Sequence, residues 1–199
     1  MPWRKRFDRE TVLETAMAAF WAHGFEATSV ADLVAATGVN RASLYDTYGD
    51  KRSLFLAALG TYADRHRRAL AEFAATLAPR AALRAPFEAL VAKAEGGSPG
   101  SGCFLTNSAL ERAAHDPEVR RIVADAQAAT EAFFARTIAA AGAAADAETA
   151  ARGMLAALLG VAVLARSRPD PAVLRGAVEG ALAALAPAAS FPLPPRTEE

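Results

Sequence analysis

Hydrophobic residues recur every three or four positions near the start of the chain, which is the spacing of amphipathic helices rather than of strands. Val12, Ala16 and Phe20 share one face of a first predicted helix, over residues 7–23. Gly24 follows at the position where a left-handed residue ends many helices. The pattern therefore predicts one helix with its C-terminal cap at this end of the chain.

Two shorter helices follow, and residues that cap helices mark their ends. The sequence from Ser29 to Asp32 has the form of a capping box with aspartate in place of glutamate, and Gly38 closes this helix after about two turns. Asn40 is placed to cap a third helix, which Gly49 interrupts. Two short helices joined by a tight turn are typical of a helix-turn-helix, which we predict here.

The helical periodicity continues along the chain and predicts six more helices. Pro86 lies inside one of them and either kinks it or marks its true start. A glycine-rich loop over residues 96–102 separates two groups of these helices. The predicted segments are 51–77, roughly 80–95, a short helix from Phe104 to about Leu110, 117–141, roughly 146–166 and 171–187.

No segment alternates between hydrophobic and polar residues in the manner of a strand, so the predicted fold class is all-α. The predicted organisation is an N-terminal three-helix helix-turn-helix domain over 1–50 and a C-terminal helical ligand-binding and dimerisation domain over 51–188. The proline-rich tail over 189–199 is expected to be disordered.

Composition and charge narrow the class of protein. The 199 residues include 22 basic and 22 acidic side chains, so no global basic excess indicates a nucleic-acid partner. Cys103 is the single cysteine, which excludes an intrachain disulfide and favours a cytoplasmic protein. The longest uncharged apolar run, residues 154–165, is shorter than the roughly 20 residues of a membrane helix, so no membrane partner is expected. His23, His66 and His115 lack metal-ligand spacing, so neither a metal nor another cofactor is expected.

The most specific pattern lies near the N-terminus. It consists of Ala18-Ala19-Phe20, Gly24-Phe25, Thr28-Ser29-Val30, Gly38-Val39, Leu44-Tyr45, Asp50-Lys51 and Leu54-Phe55. With these residues the stretch 7–59 resembles the DNA-binding domain of the tetracycline-repressor-like (TetR) regulators, with small departures at Val34, Thr37 and Tyr48. The resemblance implies a homodimeric, ligand-responsive transcriptional regulator, usually a repressor, that binds a pseudo-palindromic operator in double-stranded DNA and is not an enzyme.

The prediction of DNA contacts rests on this resemblance and on the geometry of a recognition helix, which places its N-terminal residues in the major groove. Arg41, at the start of the third helix, is placed to reach guanine acceptors in the major groove. The resemblance implies backbone contacts for Tyr45 and Lys51, and Lys51 also begins a helix, whose free amides favour phosphate. The alternative for each residue is capping or ordinary surface. The full predicted set is Thr28, Ser29, Asn40, Arg41, Ser43, Tyr45, Thr47, Tyr48 and Lys51.

A second predicted site is for the effector. Cys103 stands in the segment Gly102-Cys103-Phe104-Leu105-Thr106-Asn107, which resembles one branch of the family in which some members sense electrophiles or oxidants through a cysteine. A thiol beside a glycine loop and near a helix N-terminus suits that role, and a small buried hydrophobe is the alternative. Aromatic residues at helical spacing form either ordinary core or the wall of an apolar cavity between helices. The residues predicted to line such a cavity are Phe87, Leu90, Val91, Phe104, Leu110, Phe133 and Phe134.

The last two helices are predicted to form the dimer interface. Residues 154–164 are apolar nearly all round the helix, and such a helix is buried on more than one side. The resemblance implies a four-helix bundle made of two C-terminal helices from each subunit, and internal core is the alternative. Two other functions stay open: an enzyme with Cys103 as nucleophile and His115 as base, and a helical interaction module that does not bind DNA.

Overall fold

The computed structural model describes residues 8–96, 100, 102–167 and 170–185, and these residues form nine α-helices and no strand. The all-α prediction is therefore confirmed for the described part of the chain. The predicted disordered tail, and Phe7 at the start of the first predicted helix, lie outside the described residues. The helices are α1 (Arg9–His23), α2 (Val30–Thr37), α3 (Arg41–Tyr48), α4 (Lys51–Thr76), α5 (Pro79–Glu95), α6 (Phe104–Arg112), α7 (Pro117–Ala141), α8 (Ala147–Arg166) and α9 (Pro171–Ala183).

Capping residues set the ends of the short N-terminal helices. Ser29 and Asp32 form the predicted capping box: the Asp32 amide donates to the Ser29 hydroxyl oxygen at 3.1 Å, and the Ser29 amide donates to the Asp32 carboxylate at 2.8 Å. Gly38 closes α2 with a left-handed backbone (φ 67°), which glycine adopts without steric cost. Asn40 caps α3 by accepting from the Ser43 amide at 2.9 Å. These bonds fix the turn between α2 and α3.

Helix α5 runs through Pro86, so Pro86 does not mark the start of the helix. The helix starts at Pro79, where the missing amide costs no hydrogen bond. Pro86 lies in its interior and is buried, so one amide is absent from the helix ladder. Contacts of α5 with α4, α7, α8 and α9 hold the helix in place despite this loss.

The helices pack around two clusters of buried hydrophobic residues. The first cluster joins α1, α2, α3 and the first half of α4 to α6 and the start of α7, with Phe20, Phe55 and Phe104 among its members. The second lies among α5, the end of α7, α8 and α9, and includes Phe87 and Phe134. Helices α4 and α7, of 26 and 25 residues, contribute to both clusters. They therefore connect the helix-turn-helix to the larger domain.

Helix α8 is long and apolar enough to cross a membrane if only length and composition are considered. It has 20 residues and a mean hydropathy of 1.5 over its most apolar stretch of 18. The uncharged run of residues 154–165 is thus only part of a longer apolar helix. Met154, Leu158 and Val161 of α8 are buried in the second cluster, against α5, α7 and α9. These contacts are those of a core helix in a helical domain.

Candidate DNA-binding surface and effector cavity

Helix α3 presents its N-terminal residues to solvent. Leu44 is buried and anchors one face of the helix, whereas Asn40 and Arg41 are exposed on the other. The guanidinium of Arg41 lies 5.2 Å from the centroid of the Tyr45 ring, one turn further along. A cation and a phenol therefore stand side by side on a two-turn helix, with Arg41 exposed and Tyr45 half-buried.

The two predicted contacts at the start of α2 differ in accessibility. Thr28 is only 1% exposed, and its hydroxyl donates to the Gly24 carbonyl oxygen at 2.6 Å. This burial contradicts the predicted DNA contact of Thr28, because the side chain satisfies a carbonyl near the end of α1 instead of facing solvent. Ser29 is exposed, and its hydroxyl donates to the Asp32 carboxylate at 2.7 Å. Hydrogen bonds from Ser29 hold the pKa of Asp32 below its usual value.

The remaining predicted contacts lie at the end of α3 and the start of α4 and are half-buried. The Thr47 hydroxyl donates to a carbonyl of the preceding turn of α3 at 2.9 Å, and the Tyr48 hydroxyl donates to the Arg9 carbonyl at 2.8 Å. Burial raises the pKa of Tyr48. The Lys51 ammonium lies 4.3 Å from the centroid of the Phe25 ring. Tyr48 thus joins the end of α3 to the first residue of α1, and Lys51 joins the start of α4 to the segment after α1.

A cavity of about 450 Å³ lies between the two hydrophobic clusters, enclosed by α1, α4, α5, α6, α7 and α8. This volume is within the range of small-molecule sites in proteins. Most of its wall is apolar or aromatic. The apolar and aromatic residues that line it are Met17, Trp21, Tyr62, Leu70, Phe73, Pro86, Leu90, Leu105, Val123, Leu155, Leu158 and Leu159.

Of the residues predicted to line an apolar cavity, Leu90 alone lies on the wall of this one. Phe87, Val91, Phe133 and Phe134 are buried within the second cluster, and Phe104 is buried in the first. Leu110 is 73% exposed on the outer side of α6. Helical periodicity identifies which face of a helix is buried, but it does not distinguish packed core from the wall of a cavity.

Polar groups line the cavity as well. The Thr130 hydroxyl donates to the Ala126 carbonyl at 2.8 Å, so the 2.8 Å contact between His66 Nε2 and the Thr130 oxygen requires a proton on Nε2. Burial lowers the pKa of His66, and the positive charges of Lys93 and Arg67 lower it further. His66 is therefore neutral at pH 7.

Two further charged features complete the cavity. Glu14 of α1 and Arg65 of α4 form an ion pair in which Arg65 Nη1 donates to a Glu14 oxygen at 2.6 Å. The Lys93 ammonium lies 5.2 Å from the ring centroid of Trp21 and 5.5 Å from that of Tyr62. Sequence reasoning missed these residues. The one available signal was Lys93 itself, an isolated lysine on an otherwise apolar stretch of α5.

Cys103 is half-buried at the N-cap position of α6 and lines the cavity. Its sulfur accepts a hydrogen bond from the Tyr62 hydroxyl at 3.8 Å. Burial raises the pKa of Tyr62 well above its usual value, and the neighbouring thiol adds to that effect. His115 lies beyond the far end of α6, about 14 Å or more away for a nine-residue helix, so the two residues of the suggested enzyme site do not meet.

The C-terminal end of α6 holds the turn between α1 and α2. Both carboxylate oxygens of Glu111 accept from backbone amides of this turn, those of Phe25 and Glu26, each at 2.9 Å. Arg112 forms an ion pair with Glu26, and its guanidinium lies 4.5 Å from the centroid of the Phe25 ring. The same helix therefore contacts the cavity at its start and the helix-turn-helix domain at its end.

A second connection joins α7 to α4. The Asp116 carboxylate accepts from Arg52 Nε and Nη2, both at 2.8 Å, and also caps α7 through the amides of Glu118 and Val119. Asp116 is 3% exposed. The bonds from Arg52 hold the pKa of Asp116 far below its usual range. Among the described residues, no group of three or more His, Cys, Asp or Glu side chains has the arrangement of a metal site.

Two family models match the chain. Residues 12–58 match the model of the bacterial regulatory proteins of the tetR family, and residues 79–180 match the C-terminal domain of the LmrA/YxaF-like transcriptional regulators. The second model alone covers more than half of the chain.

Curated relatives match over part of their length. The uncharacterized HTH-type transcriptional regulator YezE of Bacillus subtilis (strain 168) is 39% identical over 118 residues, which are 59% of this chain and 61% of YezE. The HTH-type transcriptional repressor ComR of Escherichia coli (strain K12) is 40% identical over 108 residues, or 52% of this chain and 50% of ComR. The chain thus spans less than two thirds of either relative.

Solved structures match over nearly the whole chain. A cysteine mutant of the TetR family transcriptional regulator CifR, complexed with 26-bp double-strand operator DNA, is 29% identical, with a TM-score of 0.80. The match covers 92% of this chain and 99% of the CifR chain. From the family models and this likeness, the chain belongs to the TetR family of bacterial regulatory proteins.

Proposed function

We propose that this protein is a transcriptional repressor that binds a pseudo-palindromic operator as a homodimer and releases it when an effector occupies the cavity. The observation that carries the proposal is the exposed face of α3, where Asn40 and Arg41 stand on a two-turn helix fixed by its cap and by buried Leu44. CifR, similar along 92% of this chain, was solved on operator DNA. A cytoplasmic location follows from the proposal, because the operator is there.

The recognition helix α3, together with Lys51 at the start of α4, would supply both kinds of DNA contact. Arg41 has the length and the planar donors to bind guanine O6 and N7 in the major groove, which gives sequence preference. Tyr45 and Lys51 would hold the sugar-phosphate backbone, which gives orientation. Asn40, Ser43, Thr47 and Tyr48 would assist at phosphates, and exposed Ser29 would do so at the start of α2. Thr28 is left out of this set because it is buried.

The dimer is proposed to form through the outer faces of α8 and α9. Val163, Leu164 and Val173 are 44%, 39% and 50% exposed, which is unusual for large apolar side chains on helices that also contribute to a core. Gly160 and Gly176 have open space beside them, so a second pair of helices would approach closely there. Such surfaces support a symmetric four-helix contact between two subunits.

Release of the operator is proposed to pass through α6. Leu105 and Cys103 line the cavity at one end of this nine-residue helix. At the other end, Glu111 accepts hydrogen bonds from two amides of the α1–α2 turn. A ligand that displaces the start of α6 would therefore move the helix-turn-helix domain of its own subunit. In the proposed dimer, this movement would change the distance between the two helix-turn-helix domains. A coupling of about 1–3 kcal/mol is sufficient to change operator affinity roughly 5–150-fold.

Cys103 is proposed as a second trigger, in line with the branch of the family that its segment resembles. The thiol lines the cavity and hydrogen-bonds Tyr62, so alkylation would add bulk at the first residue before α6. We expect N-ethylmaleimide to weaken operator binding by the wild type and to leave Cys103→Ser unaffected. Stoichiometric alkylation of Cys103, established by mass spectrometry, together with unchanged operator affinity would assign the thiol to packing.

The proposed function is tested by fluorescence anisotropy with duplexes that tile the DNA flanking the gene. At fixed physiological salt, we expect one duplex to bind at least about 1,000-fold more tightly than a scrambled duplex of the same composition. Equal affinity for every duplex would favour the alternative of a helical interaction module and contradict the proposal.

A further inference from the structure

The effector cavity carries an unbalanced positive charge. Among the described residues, Glu14 is the only carboxylate on its wall, and Arg65 neutralises it. His66 is uncharged at pH 7 because burial and nearby cations lower its pKa. Lys93 is the remaining charged group of the wall, and none of the ion pairs formed by the described residues includes it.

Lys93 is held at the cavity by aromatic rings rather than by an acid. Its ammonium lies over Trp21 and Tyr62, which attract a cation through their ring faces but do not neutralise its charge. Those two rings meet edge to face, with centroids 5.1 Å apart. The ammonium thus keeps its hydrogens available to an acceptor inside the cavity.

Trp21 lies on the same side of the cavity as Lys93. The Trp21 indole lines the cavity, and its Nε1 is buried without an acceptor among the described residues. A buried N–H that lacks an acceptor is unfavourable, and indole nitrogen donates only. Because this Nε1 is closed off from the cavity as well, Lys93 is the donor that the cavity offers to an anionic oxygen, beside a wall of leucine and aromatic side chains.

We propose that the effector is a largely apolar organic anion whose carboxylate, or equivalent acidic oxygen, pairs with Lys93 while its apolar body fills the rest of the cavity. This inference rests on the proposed function, since it names the ligand class of the same effector site. A cationic ligand is disfavoured because Lys93 repels it and Glu14 is already paired with Arg65.

Three probes of equal shape and different charge test the ligand class: 2-naphthoate, 2-naphthamide and 2-naphthylmethylammonium. Calorimetric titration of the full chain at pH 7.5, without DNA, measures the affinity of each. We expect 2-naphthoate to bind roughly tenfold more tightly than the neutral amide, and the cation to bind least.

Matched variants assign the preference to one side chain. In Lys93→Met, 2-naphthoate should lose about tenfold in affinity while the amide keeps its own, which also shows that the variant is folded. Arg80→Met removes the same charge from the exposed first turn of α5, outside the cavity wall, and should leave both affinities unchanged.

The proposal is overturned if no probe binds, if wild type binds the amide as tightly as the carboxylate, or if Lys93→Met keeps the preference. Operator binding without probe is measured in parallel. Intact operator binding with no carboxylate preference refutes the ligand class alone, whereas a clear preference without operator binding refutes the repressor function alone.

Discussion

Asp116 joins two helices through a single buried carboxylate. It accepts two hydrogen bonds from Arg52 of α4 and caps α7, and it is almost wholly inaccessible. Because its folded-state pKa is far below the value of about 3.9 in an unfolded chain, ionised Asp116 stabilises the fold. This contribution is fully present above the unfolded-state pKa and is lost as the pH falls toward the folded-state value.

Replacing the Asp116 carboxylate by an amide tests how much the ion pair with Arg52 contributes to stability, separately from the helix cap. Asn at an N-cap still accepts from backbone amides, so Asp116→Asn keeps the cap of α7 and removes the charge. We expect the thermal unfolding midpoint to fall by roughly 2–4 °C at pH 7, with the difference from wild type shrinking below about pH 4. Asp125→Asn, which loses an exposed ion pair on the same helix, should change the midpoint by less than about 1 °C. Equal effects of the two substitutions would contradict the role given to Asp116.

Arg41 and Lys51 are expected to contribute differently to DNA binding. Arg41→Ala should reduce the difference in binding free energy between the operator and the scrambled duplex by about 1–3 kcal/mol. Lys51→Ala should weaken binding to both duplexes equally. It should also reduce the slope of log affinity against log salt concentration by about one unit, as expected for the loss of one phosphate contact. Titrations at several salt concentrations separate these outcomes. The assigned roles fail if both variants lose specificity equally or if neither loses affinity.

Among the helices, α6 is one connection between the cavity and the helix-turn-helix domain. Glu111→Gln keeps the size of the side chain but leaves one oxygen where two now accept, so one amide of the α1–α2 turn loses its acceptor. We expect hydrogen exchange of the Phe25 and Glu26 amides to become about tenfold faster. Glu72→Gln, on the exposed side of α4, serves as control. Unchanged exchange in Glu111→Gln would remove this connection from the release mechanism.

The helices were predictable because their signals are local. The Ser29–Asp32 capping box and the Asp116-Pro117 start of α7 form where the sequence places them, and α7 ends at Ala141 as predicted. A cap depends on residues three or four positions apart, which a sequence displays directly. The positions of these capped ends therefore followed from the pattern, whereas α9, which has no such signal at its C-terminus, ends at Ala183 instead of near residue 187.

The cavity and the connections between helices were not predictable in the same way. Glu111 bonds to an amide 86 positions away, and Lys93 meets Trp21 only after α5 packs near α1. Phe87 and Phe134 share the periodicity of cavity residues but are packed against each other in the core. Side-chain spacing along one helix contains no information on which of two buried faces meets empty space.

In the whole molecule, the proposed dimer depends on apolar side chains that one subunit leaves exposed. Leu158 is unsuitable for testing it, because that side chain is buried and lines the cavity of its own subunit. Leu164 and Val173 are exposed, so their replacement spares the core.

We expect Leu164→Glu with Val173→Glu to give a folded monomer with wild-type helix content and at least tenfold weaker operator binding, since both half-sites must be held together. Light scattering measures the mass, and circular dichroism the helix content. Leu110→Glu, at an exposed leucine of α6, should remain dimeric. A dimer of unchanged mass in the double variant would exclude this interface.

The central claim is that two copies of this chain read one inverted repeat through α3. Selection of duplexes from a random library by the purified full chain, followed by sequencing, tests it most directly. The account predicts an enriched motif of two identical half-sites in inverted orientation, with centres about 34–36 Å or a multiple apart, and a degenerate base in each half-site when Arg41→Ala is used. Failure to enrich any motif, or enrichment of a motif without inverted symmetry, would contradict the account.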